Sequence, residues 1–127
     1  MNIKNNDRAL VLQEAREARE KNQIDLALEK YHILKSLKNI NDEILYEIAI
    51  YYGQLGKPKD AVPLFRSLAH KNKNHFNLNA NLATALSESG APSEAIEYFK
   101  KSLKIDPNRI ELNLNIAENY RRLGLYD

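Results

Sequence analysis

Apolar residues recur along this chain at helical spacing. Leu82 and Leu86 form one such pair, and Ile96, Phe99 and Leu103 continue the pattern. Runs of β-branched residues are absent, and Gly and Pro are scarce at four each. The pattern predicts an all-helical protein of short helices, about a dozen residues apiece. Asn22, Gly56, Gly90 and Gly124 divide them. Gly or Asn just past a helix end accepts the left-handed backbone that closes a C-terminus. Pro58 and Pro92 follow two of those glycines. Each suits the first turn of the next helix, where a missing N–H costs nothing.

The dividers step evenly, by 34 residues, through positions 22, 56, 90 and 124. The same step joins Ala27, Ala61 and Ala95. It joins Tyr31, Phe65 and Phe99, and also Ala15, Ala49, Ala83 and Ala117. Four columns share one period without an insertion, which marks an internal repeat.

A 34-residue helix–turn–helix period resembles the tetratricopeptide repeat (TPR) family. Residues 76–109 carry the pattern best, with Leu82 and Ala83 in helix A, Gly90 at the turn, and Ala95, Phe99 and Pro107 in and after helix B. Residues 42–75 offer Ile48, Ala49, Tyr52, Gly56, Ala61 and Phe65. Residues 8–41 are weaker, with Ala15, Ala18, Ala27 and Tyr31, and residues 110–127 hold Ile116, Ala117, Tyr120 and Gly124. The resemblance implies a lead-in over residues 1–7 and a repeat domain over 8–127. Its implied fold is an all-α α-solenoid, a right-handed superhelix of about three and a half repeats.

Some positions depart from the family pattern. The usual Trp near the start of helix A is replaced by Val11, Leu45, Asn79 and Asn113. The terminal Pro survives only as Pro107, with Asn39 and Lys73 at the equivalent places. Glu14 stands where Leu or Ile is usual, which suggests a polar end cap. Pro63 is harmless if its helix starts at Asp60, and removes a hydrogen bond if the helix starts at Pro58. Gly124–Asp127 reads as a turn and the opening of a further helix B, Tyr126 included. The expected protein is therefore the N-terminal part of a longer one. Left uncapped, the last helix would show a partly bare face of Leu112, Ile116, Tyr120 and Leu123, through which a homo-oligomer could form.

Composition narrows the function classes. The 127 residues carry 19 basic and 17 acidic side chains, interspersed, for a net charge of +2. That balance points neither to nucleic acid nor to an anionic membrane. No cysteine is present, so thiolate chemistry and disulfides are excluded. No apolar run is long enough for a signal peptide or a bilayer span, and the expected location is the cytoplasm. His32, His70 and His75 lack the spacing for a shared metal and read as solvent-facing. Gly53–Pro58 lacks the spacing of a phosphate loop, and no strand precedes it. No triad or acid/base pair emerges, so neither an enzyme nor a cofactor is expected.

The resemblance implies a protein–protein interaction module. In the family, helices A line a concave groove that takes an extended peptide or partner segment. Its sixth-position column is Gln13, Glu47, Asn81 and Asn115, and its fifth is Leu12, Tyr46, Ala80 and Leu114. The ninth is Arg16, Ile50, Thr84 and Glu118, and the twelfth is Arg19, Gly53, Ser87 and Arg121. Asn81 and Asn115 resemble an asparagine ladder, since an amide donates and accepts at once. Leu12, Tyr46 and Ile50 would seat an apolar side chain. The clamp subtype that holds a C-terminal carboxylate needs Lys and Asn in the fifth and ninth columns, which these residues do not supply. The groove candidates are thus Leu12, Gln13, Arg16, Tyr46, Glu47, Ile50, Asn81, Thr84, Asn115, Glu118 and Arg121. The alternative is a spacer or oligomerisation arm of a larger enzyme such as a transferase.

The alanine columns make a sharp prediction. If Ala95 meets Ala83 where helices A and B cross, Ala95→Leu overpacks the crossing. It should cost about 1–3 kcal/mol, read as a lowered midpoint in a thermal melt.

Overall fold

The computed structural model describes residues 4–124. Among them run α1 (Asn5–Glu20), α2 (Ile24–Lys35), α3 (Asp42–Gln54), α4 (Pro58–Lys71), α5 (Phe76–Glu88), α6 (Pro92–Ile105) and α7 (Ile110–Arg122), with no strand between them. The expected helix opening at Tyr126 lies outside the described residues.

The period in the sequence is the period of the helices. α3, α5 and α7 start at 42, 76 and 110, and α2, α4 and α6 start at 24, 58 and 92. The turns between A and B helices use the left-handed backbone at Asn22 (φ 57°), Gly56 (φ 70°) and Gly90 (φ 90°), and Gly124 follows at φ 74°. α4 and α6 open on Pro58 and Pro92, whose fixed φ suits a first turn. Because α4 begins at Pro58, Pro63 lies inside the helix and withholds one N–H from its ladder. His75 caps α5, its Nδ1 accepting from the Leu78 N–H at 3.1 Å.

Two compact units divide the chain, residues 1–48 and residues 49–127. In the first, α1 packs on α2. Ala15 and Ala27 are fully buried there beside Tyr31 and Leu34. Glu14, which replaces the usual apolar residue, is half-buried and accepts Lys30 Nζ at 2.9 Å. An ion pair thus stands where the other repeats have Ile48 and Leu82, both buried.

In the second unit α5 packs on both α4 and α6, and α6 packs on α7. Ala49, Ala61, Ala83 and Ala95 have no exposed surface, and Phe65 and Phe99 are buried. Burying a Phe contributes about 1.5–3 kcal/mol. Ser102 is buried and donates to the Phe76 carbonyl at 3.0 Å, tying α6 to the start of α5. Asn79 is buried too, its amide donating to the Lys73 and His75 carbonyls at 3.1 and 2.9 Å. A Trp could not make those bonds, so Asn79 fixes the loop between α4 and α5 by hydrogen bonding.

Of the face expected to be partly bare on α7, Leu112 is buried, while Ile116, Tyr120 and Leu123 are half-buried. The Tyr120 hydroxyl accepts from Lys100 Nζ at 3.0 Å. Exposure falls instead on Ile110 (73%), Leu114 (67%) and Ala117. Ala117 belongs to the column whose other members lie at crossings between A and B helices.

Two glycines separate strain from space. A Cβ added at Gly90 or at Gly53 meets no atom within 4 Å, but only Gly90 has a positive φ. Gly90→Ala should cost about 1–2 kcal/mol through left-handed strain. Gly53→Ala, within α3, should stabilise by about 0.5–1 kcal/mol. Chemical denaturation of the two variants checks the opposite signs.

Candidate functional site

The groove candidates fall into two sets. In the first unit, Arg16 and Glu47 are engaged with each other. Arg16 Nη2 donates to Glu47 Oε1 at 2.7 Å, and Arg16 Nε lies within 3.2 Å of both carboxylate oxygens. The Tyr31 hydroxyl donates to Glu47 Oε2 at 2.7 Å. Burial alone would raise the Glu47 carboxyl. The bonds from Arg16 and Tyr31, with the charges of Arg16 and Arg19, outweigh it and hold the group below its usual value. Gln13 donates to Glu17 at 3.0 Å. Leu12 and Tyr46 are half-buried, as is Ile50 in the second unit. Of this set, Arg16 and Glu47 form a structural brace between α1 and α3.

In the second unit, Thr84, Asn115 and Glu118 line one cavity of about 180 Å³ between α5 and α7. Ser87, Asn119 and Arg122 join them. Asn119 is 1% exposed and its amide donates to the Asn115 carbonyl at 2.7 Å. Its Oδ1 is buried and without a partner. A buried acceptor left unpaired costs roughly 1–3 kcal/mol. Arg122 Nη1 donates to the Ser87 carbonyl at 2.9 Å and to Ser87 Oγ at 3.1 Å, tying α7 to α5. Arg121 grips Glu118 through two bonds of 2.7 and 2.8 Å. Chiefly through those bonds, and through Arg122, the Glu118 carboxyl is pulled down to about 2. Glu118 is therefore a fixed negative charge at the cavity's edge.

Asn81 is half-buried on α5 and is not among the residues that line this cavity. The residue that sequence reasoning missed is Asn119. Its column holds Tyr51 and Ala85, each 5% exposed. The column also holds Glu17, which is exposed, so it already mixes polar and apolar residues and gave no clear signal. The described residues hold no cluster of His, Cys, Asp or Glu suited to a metal ion. His32, His70 and His75 are exposed. No helix among the described residues is long and apolar enough to cross a membrane.

Helix pairs on a fixed 34-residue step, with small residues buried at each crossing, define an all-α helical-repeat protein of the α-solenoid class. The tetratricopeptide repeat family matches residues 46–110, just over half of the chain, and the chain belongs to that family. Among solved structures, MamA of MSR-1 superposes with a TM-score of 0.84 at 27% identity, covering 94% of this chain and 68% of that one. MamA of AMB-1 gives 0.82 at 28% identity, with 94% and 65% covered. MamA from Desulfovibrio magneticus RS-1, at 15% identity and a TM-score of 0.78, shares the fold. The chain thus spans about two thirds of the length of these MamA chains. No curated protein matches it.

The brace in the first unit predicts a pH dependence. Burial first, and then the bond to Glu47, push the Tyr31 phenol up to about 12 from an ordinary 10. A raised value means that folding favours the neutral phenol. That stabilisation is fully present below pH 10 and is lost as pH rises through 12. Tyr31→Phe should cost about 1.5–3 kcal/mol at neutral pH, as expected for a hydrogen bond to a charged group. The gap from wild type should shrink above pH 10, as followed by urea denaturation across that range.

Proposed function

We propose that the chain is a protein–protein interaction module and that the cavity between α5 and α7 receives an extended segment of a partner protein. The observation that carries this reading is the buried, unpartnered Oδ1 of Asn119 beside the exposed amide of Asn115. An extended peptide offers N–H and C=O groups at regular spacing. One N–H entering the cavity can satisfy Asn119 Oδ1 once that side chain turns toward it, while the Asn115 amide donates to a neighbouring carbonyl. Such contacts read the backbone and tolerate many sequences. Arg122 and the Arg121–Glu118 pair keep the cavity walls in place. Membership of the tetratricopeptide repeat family supports this use of helix A side chains.

The exposed Ile110, Leu114 and Ala117 on α7 favour a second reading, an association arm that pairs with another copy or another part of a longer protein. Sedimentation across a concentration series separates the two readings. Self-association abolished by Leu114→Glu supports the arm.

Asn119→Leu tests the peptide reading by moving stability and binding apart. Replacing an unsatisfied buried amide with a side chain of similar shape should leave the melting temperature unchanged or higher. Affinity for ten-residue extended peptides, followed by amide shifts at Asn115 and Thr84, should fall at least about tenfold, or 1.4 kcal/mol. Unchanged binding in Asn119→Leu and Asn115→Ala rejects the assignment.

A further inference from the structure

The second unit holds a larger cleft, of about 680 Å³, where helices α4 and α6 come together over the start of α5. Its charge is one-sided. Arg66, Lys73, Lys101 and Lys104 line it, and no carboxylate is among its lining residues. The chain as a whole is almost balanced, with 19 basic and 17 acidic residues, so the cleft concentrates cations that the sequence disperses. The residues come from distant segments: α4, the loop after it, and the last turns of α6. Arg66 is paired with Glu94, which braces α4 against α6 at one side. Lys73 and Lys104 have no acidic partner within ion-pair distance among the described residues. Both are exposed.

The cleft also has an apolar side. Ala69, Tyr98 and Ile105 line it, and Ile105 is 40% exposed although it ends a helix whose other apolar residues are mostly covered. Space exists here for a sequence reason. Asn79, which also lines the cleft, occupies the column in which related repeats usually carry a Trp. An amide leaves unfilled the volume an indole would take. Through its bonds to the Lys73 and His75 carbonyls, Asn79 also holds Lys73 at the rim.

We propose that this cleft is a second binding site, distinct from the cavity between α5 and α7, and that it takes an acidic peptide segment with an apolar anchor. Carboxylates meet the rim cations Lys73, Lys101 and Lys104, and one Leu- or Phe-sized side chain enters between Tyr98 and Ile105. Two observations favour a peptide over a nucleic acid. The Lys101 ammonium already covers one face of the Tyr98 ring, at 4.3 Å from its centroid, which denies that face to a stacking base. Glu94 and Glu97 on the first two turns of α6 interrupt any continuous basic track along the backbone of a strand.

The test uses isotope-labelled protein and the probe peptide Glu-Asp-Leu-Glu-Glu-Phe-Asp-Glu, followed by amide shifts and calorimetry. Shifts are expected at residues 69–74 and 98–105, with affinity that falls as salt is raised. Lys101→Glu and Lys104→Glu, each made singly, should weaken the probe at least about fivefold without changing the melting temperature. Lys59→Glu, an equal charge change on α4 outside the cleft, should leave affinity within about twofold. Replacing Leu and Phe of the probe by Ser should also weaken it. Equal loss in Lys59→Glu would overturn the proposal by showing only long-range attraction. So would an unchanged affinity for the Ser probe, or an oligouridylate of matching charge bound as tightly by the same residues.

Discussion

Helices of 12 to 16 residues do not persist alone in water, because nucleation is costly and the hydrogen bonds are few. Everything here therefore depends on how closely one helix can approach the next. Alanines with no exposed surface recur in each repeat, Ala15 and Ala27, Ala49 and Ala61, Ala83 and Ala95. A side chain that stops at Cβ lets the backbones come together. Larger residues beside the crossing, Tyr31, Phe65 and Phe99, then supply buried area. The left-handed turns at Asn22, Gly56 and Gly90 deliver each second helix to this crossing at the same distance along the chain.

A scaffold stabilised by its alanine and aromatic columns leaves other positions free to hold polar groups at some cost. Asn119 is one such position, a buried amide with one unsatisfied oxygen. Asn79 is another, a small polar residue that anchors a loop and leaves a cleft beside it. Both depart from the apolar pattern, and both line cavities. The Glu14–Lys30 and Arg16–Glu47 pairs are departures of a different kind, since they satisfy their charges within the first unit. That difference separates candidate contacts from structural braces better than column membership does.

Exposure on α7 follows from the same logic. A repeat unit hides one face of its helix A against the preceding helix and the other against its own helix B. On α7 Leu112 is buried, while Ile110, Leu114 and Ala117 are exposed. Ala117 carries the mark of a crossing position in its sequence column.

The architecture was legible in the sequence because it rests on local rules. Gly, Asn and Pro act on their own backbone, so dividers at 22, 56 and 90 announced the turns, and Pro58 and Pro92 announced two helix starts. The alanine and aromatic columns followed from a period that any reader of the chain can count. The groove was legible only in part. Thr84, Asn115 and Glu118 line one cavity, Arg16 and Glu47 bond to each other, and Asn81 is not among the residues that line the cavity. Whether a polar side chain is free or engaged depends on partners about 30 residues away in sequence, as with Arg16 and Glu47 or Ser87 and Arg122. The basic cleft depends on such distances as well, since Lys73 and Lys104 are neighbours only once α4 and α6 have packed on α5. Periodicity fixes where helices begin and end, while packing alone decides which charges meet and which acceptor is left waiting.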